Sequence, residues 1–284
     1  MTGRYLTDVY RPEELYLTDI ETMKPNIHHL DIRDKNQVMD VIGTVKPKLV
    51  IHLAAETNVD LCEQRPDHAY KSNFVGSMNL ALACAKHNVD LAYVSTAGVF
   101  GGDQEEPYTE FDDPRPINVY AKSKLEGEKI IRSLMPNCYV ARAGWMFGGS
   151  RQDKKFVGKI AQQCLDQAPR PHLKAVSDKK GSPTFARDFL AQLRVLTESG
   201  NYGLYHLVNG GESTRHGVAV EVARILQVDA HVEAVGSDVF PLPATRPNSE
   251  SARNYKLELL GLNRMRSWQE ALQEYLQGWQ AEKA

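Results

Sequence analysis

Tyr120 and Lys124 are the pair of side chains in this sequence whose types and spacing most directly suggest chemistry. Residues four apart lie on one face of a helix, so a phenol and an ammonium can share one small site. A neighbouring positive charge lowers the pKa of a tyrosine and would make Tyr120 a proton donor or acceptor near neutral pH. The alternative is that the two residues only share the wet face of a helix, because so short a motif also arises by chance.

The segments before this pair supply a third polar group. An apolar run at residues 90–100 contains Ser95 and Thr96, and the Pro-containing loop 112–118 leads into the helix. A hydroxyl at Thr96 could hydrogen-bond the same substrate oxygen as Tyr120. The three side chains would suit reduction of a carbonyl, or oxidation of an alcohol, beside a hydride carrier.

Elements that could position these residues alternate along the chain. Apolar runs typical of buried parallel strands occur at 48–55, 90–100 and 138–148, and stretches with helical periodicity occur at 67–88 and 121–134. Two further runs, 14–19 and 27–32, are interpreted as shorter strands of the same sheet. This alternation predicts an α/β fold, a Rossmann-like doubly wound parallel sheet with helices on both faces.

In such a sheet, ligands bind beyond the carboxyl ends of the strands. The strand ends are therefore where we look for binding residues, and they carry Asp19, Asp31, Ala54, Ala55, Thr57, Ser95, Thr96 and Trp145.

Composition narrows the class of partner. The 284 residues include 34 basic and 36 acidic side chains, a balance that gives no electrostatic footprint for nucleic acid or an anionic membrane. The four cysteines form no C-x-x-C pair, so neither a zinc site nor a disulfide framework is predicted, and we expect no metal. No apolar run is long enough to span a membrane and no signal-peptide core is visible. A small-molecule substrate and a cytoplasmic location are the expectation.

Six segments, in order and at similar spacing, resemble the dTDP-4-dehydrorhamnose reductases, which are extended short-chain dehydrogenase/reductases. The resemblance extends from about residue 3 to residue 275 and includes "YVSTAGVFGG", "PINVYAKSKLEGEK", "ARAGWMFG", "KKGSPTFARDF", "GLYHLVNGG" and "RPNSESARNYKLELLGL…SWQEAL".

The resemblance implies an activity and three catalytic residues. Members reduce the C4 keto group of a 4-keto-6-deoxy nucleotide sugar, as from dTDP-4-dehydrorhamnose to dTDP-rhamnose, in deoxysugar and polysaccharide biosynthesis. By resemblance, Tyr120 gives a proton to the C4 oxygen, Lys124 binds the nicotinamide ribose and lowers the pKa of Tyr120, and Thr96 hydrogen-bonds the keto oxygen. NADPH or NADH is the implied cofactor.

The same resemblance implies binding residues. The implied cofactor-binding residues are Gly3, Asp19, Asp31, Ala54, Ala55, Thr57, Asn73, Tyr120 and Lys124, and the implied substrate-binding residues are Thr96, Trp145 and Arg246. Purely structural roles stay open for some of them: the aspartates could be cap or turn residues, Asn73 could satisfy a nearby backbone group, and Trp145 could belong to the core. NADPH and NADH also stay open, because Asp19 would disfavour a 2′-phosphate whereas Lys24 could accept one.

Two departures from the family pattern affect these expectations. The family's active-site strand usually reads S-T-D-Y-V-F, and here Ala97 and Gly98 replace the acidic and aromatic positions, which suggests a changed substrate preference. At the amino terminus, Gly3 resembles the last glycine of the G-x-x-G-x-x-G turn, while the first strand and the first two glycines are absent. We expect two neighbouring strands to lack partners there, unless the polypeptide starts earlier or another segment fills the gap.

The chain is expected to contain a dinucleotide-binding domain at 1–149, incomplete at its amino terminus, and a mostly helical substrate domain at 150–284. Residues 203–211 are predicted to return to the large sheet, and 218–228 and 267–280 to form amphipathic helices. Whether the protein forms a homodimer stays an open question, because family members commonly pair through helices. Two alternatives remain: a nucleotide-sugar epimerase or dehydratase, and a non-catalytic subunit resembling the regulatory subunit of methionine adenosyltransferase.

Overall fold

The computed structural model describes residues 1–22, 26–150, 153, 155–166 and 170–281. Its strands, in chain order, are β1 (Thr18–Asp19), β2 (His28–His29), β3 (Leu49–His52), β4 (Asp90–Thr96), β5 (Cys138–Ala143), β6 (Trp145–Phe147), β7 (His172–Val176), β8 (Lys180–Gly181), β9 (Pro183–Phe185), β10 (Gly203–Leu207), β11 (Ser213–Thr214), β12 (His231–Val235) and β13 (Ser249–Glu250). Its α-helices are α1 (Leu6–Val9), α2 (Lys35–Val45), α3 (Val59–Gln64), α4 (Pro66–Tyr70), α5 (Gly76–His87), α6 (Val119–Leu134), α7 (Phe156–Asp166), α8 (Ala186–Glu198), α9 (Arg215–Leu226), α10 (Tyr255–Leu259) and α11 (Trp268–Ala281).

The main sheet is parallel and covered on both faces. Its strand order is β10-β5-β4-β3, so residues 203–207 of the segment predicted to return form its strand next to β5. Alternate residues of β4 enter different cores: Leu91 and Tyr93 pack with α2 and α5, whereas Ala92 packs with the helices of the carboxyl-terminal half. This period of two is what a sheet between two helical layers requires, and it confirms the predicted doubly wound architecture.

The two short strands predicted at 14–19 and 27–32 do not join the main sheet. They reduce to β1 and β2, which pair with each other in parallel and form a separate two-stranded sheet. Placing them in the large sheet was therefore wrong. The physical reason is that residues 2–9 form a 3-10 helix and α1, and among the described residues no strand pairs with both β3 and the β1-β2 sheet to join them.

The predicted helices around the site form, with one irregularity. Residues 67–88 divide into α4, a π-helical turn at Lys71–Val75, and α5. The helix predicted at 121–134 begins slightly earlier, as α6, because the Asn118 side chain caps it by accepting a hydrogen bond from the Ala121 backbone N–H, at 2.9 Å. The predictions at 218–228 and 267–280 correspond to α9 and α11.

The carboxyl-terminal half combines α7 to α11 with three small sheets. β7 pairs with β12, β6 with β9, and β8 with both β11 and β13. β6 lies before residue 149 and β9 after it, so segments on the two sides of the predicted domain boundary pair with each other. The domain division at residue 149 stays a prediction.

In the described ranges, no helix is both long and apolar enough to cross a membrane.

Candidate active site

The end of β4 and the start of α6 bring Thr96 and Tyr120 together. Thr96 is the last residue of β4, and its hydroxyl oxygen accepts a hydrogen bond from the Gly98 N–H at 3.0 Å. The Thr96 side chain also lies close enough to that of Tyr120, the second residue of α6, to lower its pKa through a hydrogen bond. Two of the three residues predicted to be catalytic therefore share one site beyond the carboxyl edge of the sheet.

Lys124 lies one turn further along α6 and is almost completely buried. Its side chain is 2% exposed, and its Nζ donates a hydrogen bond to the Val94 carbonyl oxygen at 2.7 Å and lies 4.0 Å from the centre of the Tyr93 ring. Burial lowers the pKa of Lys124 to about 7, and the nearby carboxylate of Glu128 opposes this change. The lysine can therefore change its charge near neutral pH.

The pKa of Tyr120 differs from the sequence-based expectation. Burial raises it above its ordinary value, although the hydrogen bond with Thr96 acts in the opposite direction. The expectation that Lys124 lowers this pKa is not met here, because the loss of solvation dominates and the ammonium is directed at the Val94 carbonyl. Tyr120 is consequently held as a neutral phenol, the form that can donate a proton.

A buried ion pair fixes α6 against the sheet. Arg142 of β5 donates two hydrogen bonds to the Glu128 carboxylate, at 2.9 and 2.7 Å, and Ser95 donates a third at 2.5 Å. Both charged side chains are at most 3% exposed. Sequence reasoning missed this pair, although an arginine inside the apolar run "CYVARAG" signals a buried partner, since an unpaired buried charge is very costly.

The residues implied to hold the cofactor line an open part of the strand ends. A Cβ added at Gly3 would meet only the Leu53 Cδ1 atom within 4 Å, at 3.8 Å, so the backbone there can be approached closely. Ala54 and Thr57 are exposed and Ala55 is half-buried in the loop after β3. Thr57 also accepts a hydrogen bond from the Lys155 Nζ at 3.3 Å. The accessible backbone at Gly3, the open loop after β3 and Lys124 one helical turn from Tyr120 fit a nicotinamide dinucleotide.

Asn73 supports this loop from behind. It is fully buried, its Nδ2 donates to the Glu56 carbonyl oxygen at 3.1 Å and to the Ser123 hydroxyl at 2.9 Å, and its Oδ1 accepts from the Glu56 N–H at 2.9 Å. These bonds join the loop after β3 to α6. The geometry favours a positioning role, and direct cofactor binding by Asn73 stays a prediction.

The two aspartates implied to bind the cofactor are engaged in turns. The exposed Asp19 accepts a hydrogen bond from the Glu21 N–H at 3.1 Å. Asp31 accepts from the Arg33 N–H and forms an ion pair with its guanidinium at 2.6 Å, which lowers the pKa of Asp31. Their cofactor roles stay predictions, and Lys24 lies outside the described residues.

Arg246, which the resemblance implies to be a substrate-binding residue, is held by contacts within the protein. Its Nη2 pairs with the Asp60 carboxylate at 3.0 Å and its Nη1 donates to the Ala244 carbonyl oxygen at 2.6 Å. Asn118, which caps α6, donates to the Thr245 carbonyl oxygen at 2.9 Å. The Arg246 loop is thus fastened to the start of the helix that carries Tyr120.

Trp145 belongs to a cluster that sequence reasoning missed. Its indole N–H donates to the Glu250 carboxylate, and the Arg215 guanidinium carbon lies 3.8 Å from the centre of its ring. Burial lowers the pKa of Arg215 to about 10, Glu250 opposes this, and Arg246 adds to it. No sequence signal identified Glu250 or Arg215, because they meet Trp145 only through the small sheets.

Among the described residues, no group of three or more potential ligands could hold a metal ion.

Comparison with known proteins gives the family. The family model described as the RmlD substrate binding domain matches residues 11–281. The chain belongs to this family. A dTDP-4-dehydrorhamnose reductase from Mycolicibacterium smegmatis is 34% identical to this RmlD-family chain over 248 residues, which is 86% of the chain and 74% of the relative.

Solved structures agree with this assignment. A dTDP-4-dehydrorhamnose reductase from Clostridium acetobutylicum is 33% identical to this RmlD-family chain with a TM-score of 0.86, covering 98% of the chain and 96% of the neighbour. Another, from Bacillus anthracis and in complex with NADP, is 31% identical with a TM-score of 0.87, covering 97% and 94%. The expected family, fold class and enzyme class are confirmed.

Proposed function

We propose that the protein catalyses the NAD(P)H-dependent reduction of the C4 keto group of a 4-keto-6-deoxy nucleotide sugar, of the dTDP-4-dehydrorhamnose type. The observation that carries this proposal is the assembly of Thr96, Tyr120 and Lys124 at one strand end in a chain of the RmlD family. The reductases named among its relatives and the NADP complex of a structural neighbour support it.

The side chains of the site have separate tasks in this reaction. Tyr120, held as a neutral phenol, donates a proton to the C4 oxygen as negative charge develops there, and Thr96 donates a hydrogen bond to the same oxygen. Lys124 is buried one helical turn from Tyr120, where it would bind the nicotinamide ribose. When bound, the nicotinamide cofactor supplies the hydride for C4.

The binding tasks are divided between the two halves of the chain. Gly3, the loop of Ala54, Ala55 and Thr57, and Lys124 would hold the cofactor. Arg246 would contact the diphosphate of the sugar, because its planar guanidinium can form two parallel hydrogen bonds with phosphate oxygens. In this proposal residues 1–149 bind the cofactor and contribute Thr96 and Trp145 to the substrate site, and the later part of the chain supplies the rest of the sugar-nucleotide site.

The test is a reductase assay that follows NADPH or NADH absorbance with a dTDP-4-keto-6-deoxy sugar, on wild type and on Tyr120→Phe. Removing the phenol proton should lower kcat by roughly 10²- to 10⁴-fold, the usual contribution of a general acid, while cofactor binding measured by calorimetry stays unchanged. Tyr16→Phe, at a tyrosine that is 46% exposed, is the matched control and should keep the wild-type rate. Near-normal turnover by Tyr120→Phe would refute the assigned proton transfer.

A further inference from the structure

Glu250 is held beside the candidate active site by a fixed tryptophan. It is the second residue of β13, which pairs with β8, and its Oε2 accepts a hydrogen bond from the Trp145 indole N–H. Trp145 packs so closely on Gly181 of β8 that a Cβ added there would overlap the indole ring. Close packing limits the rotation of the indole, so the carboxylate has a defined position.

The second oxygen of Glu250 faces the catalytic residues. A Cβ built at Gly98 would lie 2.8 Å from the Glu250 Oε1 and 3.2 Å from the Thr96 Oγ1, so both oxygens border the same small space. Glu250 is also close enough to Tyr120 to raise the pKa of its phenol. Within the described part of the chain, Oε1 makes no hydrogen bond or ion pair, and the residue is only half-buried. The Glu250 Oε1 atom is therefore available as a hydrogen-bond acceptor next to Thr96 and Tyr120.

Gly98 makes this space available. Any side chain at that position would compete with the Glu250 carboxylate for space. The guanidinium of Arg215 lies over the Trp145 ring and supplies positive charge near the carboxylate. Because Gly98 has no side chain, the Glu250 carboxylate can form one wall of the site.

We propose that Glu250 is a specificity-determining residue that accepts a hydrogen bond from the sugar hydroxyl next to the reacting carbonyl. This inference rests on the proposed function, in which Thr96 marks the position of the C4 oxygen. In a 4-keto-6-deoxy hexose, C5 carries the methyl group and the ring oxygen, so the neighbouring hydroxyl is the one on C3. A carboxylate only accepts hydrogen bonds and therefore selects substrates that carry a donor there.

The effect of replacing Glu250 should depend on whether the substrate carries the C3 hydroxyl. A hydrogen bond to a charged group contributes on the order of a 10- to 100-fold change in an equilibrium or rate ratio. We therefore expect Glu250→Ala to lower kcat/KM by roughly that factor for a dTDP-4-keto-6-deoxy sugar with a C3 hydroxyl. The 3-deoxy analogue should be a poor substrate of the wild type, and its kcat/KM should change less than threefold in Glu250→Ala.

Two further variants separate the interaction from general damage to the site. Gly98→Ala keeps the carboxylate but places a methyl group 2.8 Å from the position of its Oε1, so the preference for the hydroxyl substrate should fall as it does in Glu250→Ala. Glu105→Gln removes an exposed carboxylate of the same length outside the site and should leave both substrates unaffected. Equal losses on the two substrates in Glu250→Ala, or no loss on either, would overturn the proposal.

Calorimetry separates this inference from the reductase proposal. The dissociation constants of a dTDP-6-deoxyhexose with and without the C3 hydroxyl are measured on wild type and Glu250→Ala, without turnover. A preference for the hydroxyl ligand that is present only in wild type supports the role of Glu250 even if no reduction is detected. The same preference in both proteins, or in neither, overturns the role of Glu250 even if the reductase assay is positive.

Discussion

Replacement of the buried Lys124 by methionine should change how the stability of the protein depends on pH. The ammonium is 2% exposed and its pKa is lowered to about 7, so the folded protein holds a charge that its surroundings solvate poorly. Methionine has a similar length and no charge. The comparison between wild type and Lys124→Met therefore isolates the titration of this one group.

The direction in which the free energy of unfolding changes with pH follows from how many protons the folded and unfolded states bind. Below pH 7 the lysine is charged in the folded and the unfolded protein, and the full cost of burying the charge is present. Between about pH 7 and 10.5 the folded protein has released the proton and the unfolded chain has not, so the free energy of unfolding rises with pH. A pKa shift from 10.5 to about 7, at 1.36 kcal/mol per unit, corresponds to about 5 kcal/mol across this window.

The assay is urea unfolding of both proteins at pH values from 6 to 10. The wild-type free energy of unfolding minus that of Lys124→Met should increase by several kcal/mol over the series, toward the limit of about 5 kcal/mol. Lys122→Met, at an exposed lysine of the same helix, should show a constant difference. A constant or falling difference for Lys124→Met would refute the claim that the buried lysine titrates near neutral pH.

Two further predictions concern the packing of α6. Gly127→Ala should lower the free energy of unfolding in a urea titration by about 1–3 kcal/mol, because the added Cβ would lie 2.5 Å from the Tyr93 hydroxyl. Its control is Gly278→Ala in α11, where the added Cβ would meet no atom within 4 Å, and this variant should raise the free energy of unfolding by about 0.5–1 kcal/mol. Glu128→Ala should cost about 3–5 kcal/mol by thermal or urea unfolding, because it leaves the Arg142 charge buried without its partner, and a loss below 1 kcal/mol would contradict that account.

Local patterns in the sequence predicted the parts of the fold that depend on local physics. Apolar runs predicted β3, β4 and β5, and the four-residue spacing of Tyr120 and Lys124 predicted their common helix. The resemblance in "GLYHLVNGG" predicted β10 as a returning strand. The apolar runs and the Tyr120–Lys124 spacing each lie within one element, so no tertiary contact was needed to interpret them, whereas the return of β10 to the sheet was predicted from the resemblance.

The remaining features depend on contacts between distant segments. The prediction that the segments at 14–19 and 27–32 join the large sheet failed because strand pairing depends on a neighbouring strand and not on the segment itself. The direction of the Tyr120 pKa shift could not be predicted, because it depends on how much solvent the surrounding elements exclude. Glu250 was missed for a similar reason, since its contact with Trp145 spans about a hundred residues and is created by β8 and β13.

The order of strands in the main sheet has a consequence for synthesis of the chain. β5 is complete at residue 143, but its outer neighbour β10 begins at residue 203. At a translation rate of roughly 5–20 residues per second, the ribosome needs several seconds to make the intervening segment. During that time β5 lacks the strand that pairs with its outer edge in the finished protein, and an unpaired strand edge can pair with other chains. A nascent chain stalled before β10 should therefore recruit chaperones, and one stalled after β10 should be released from them.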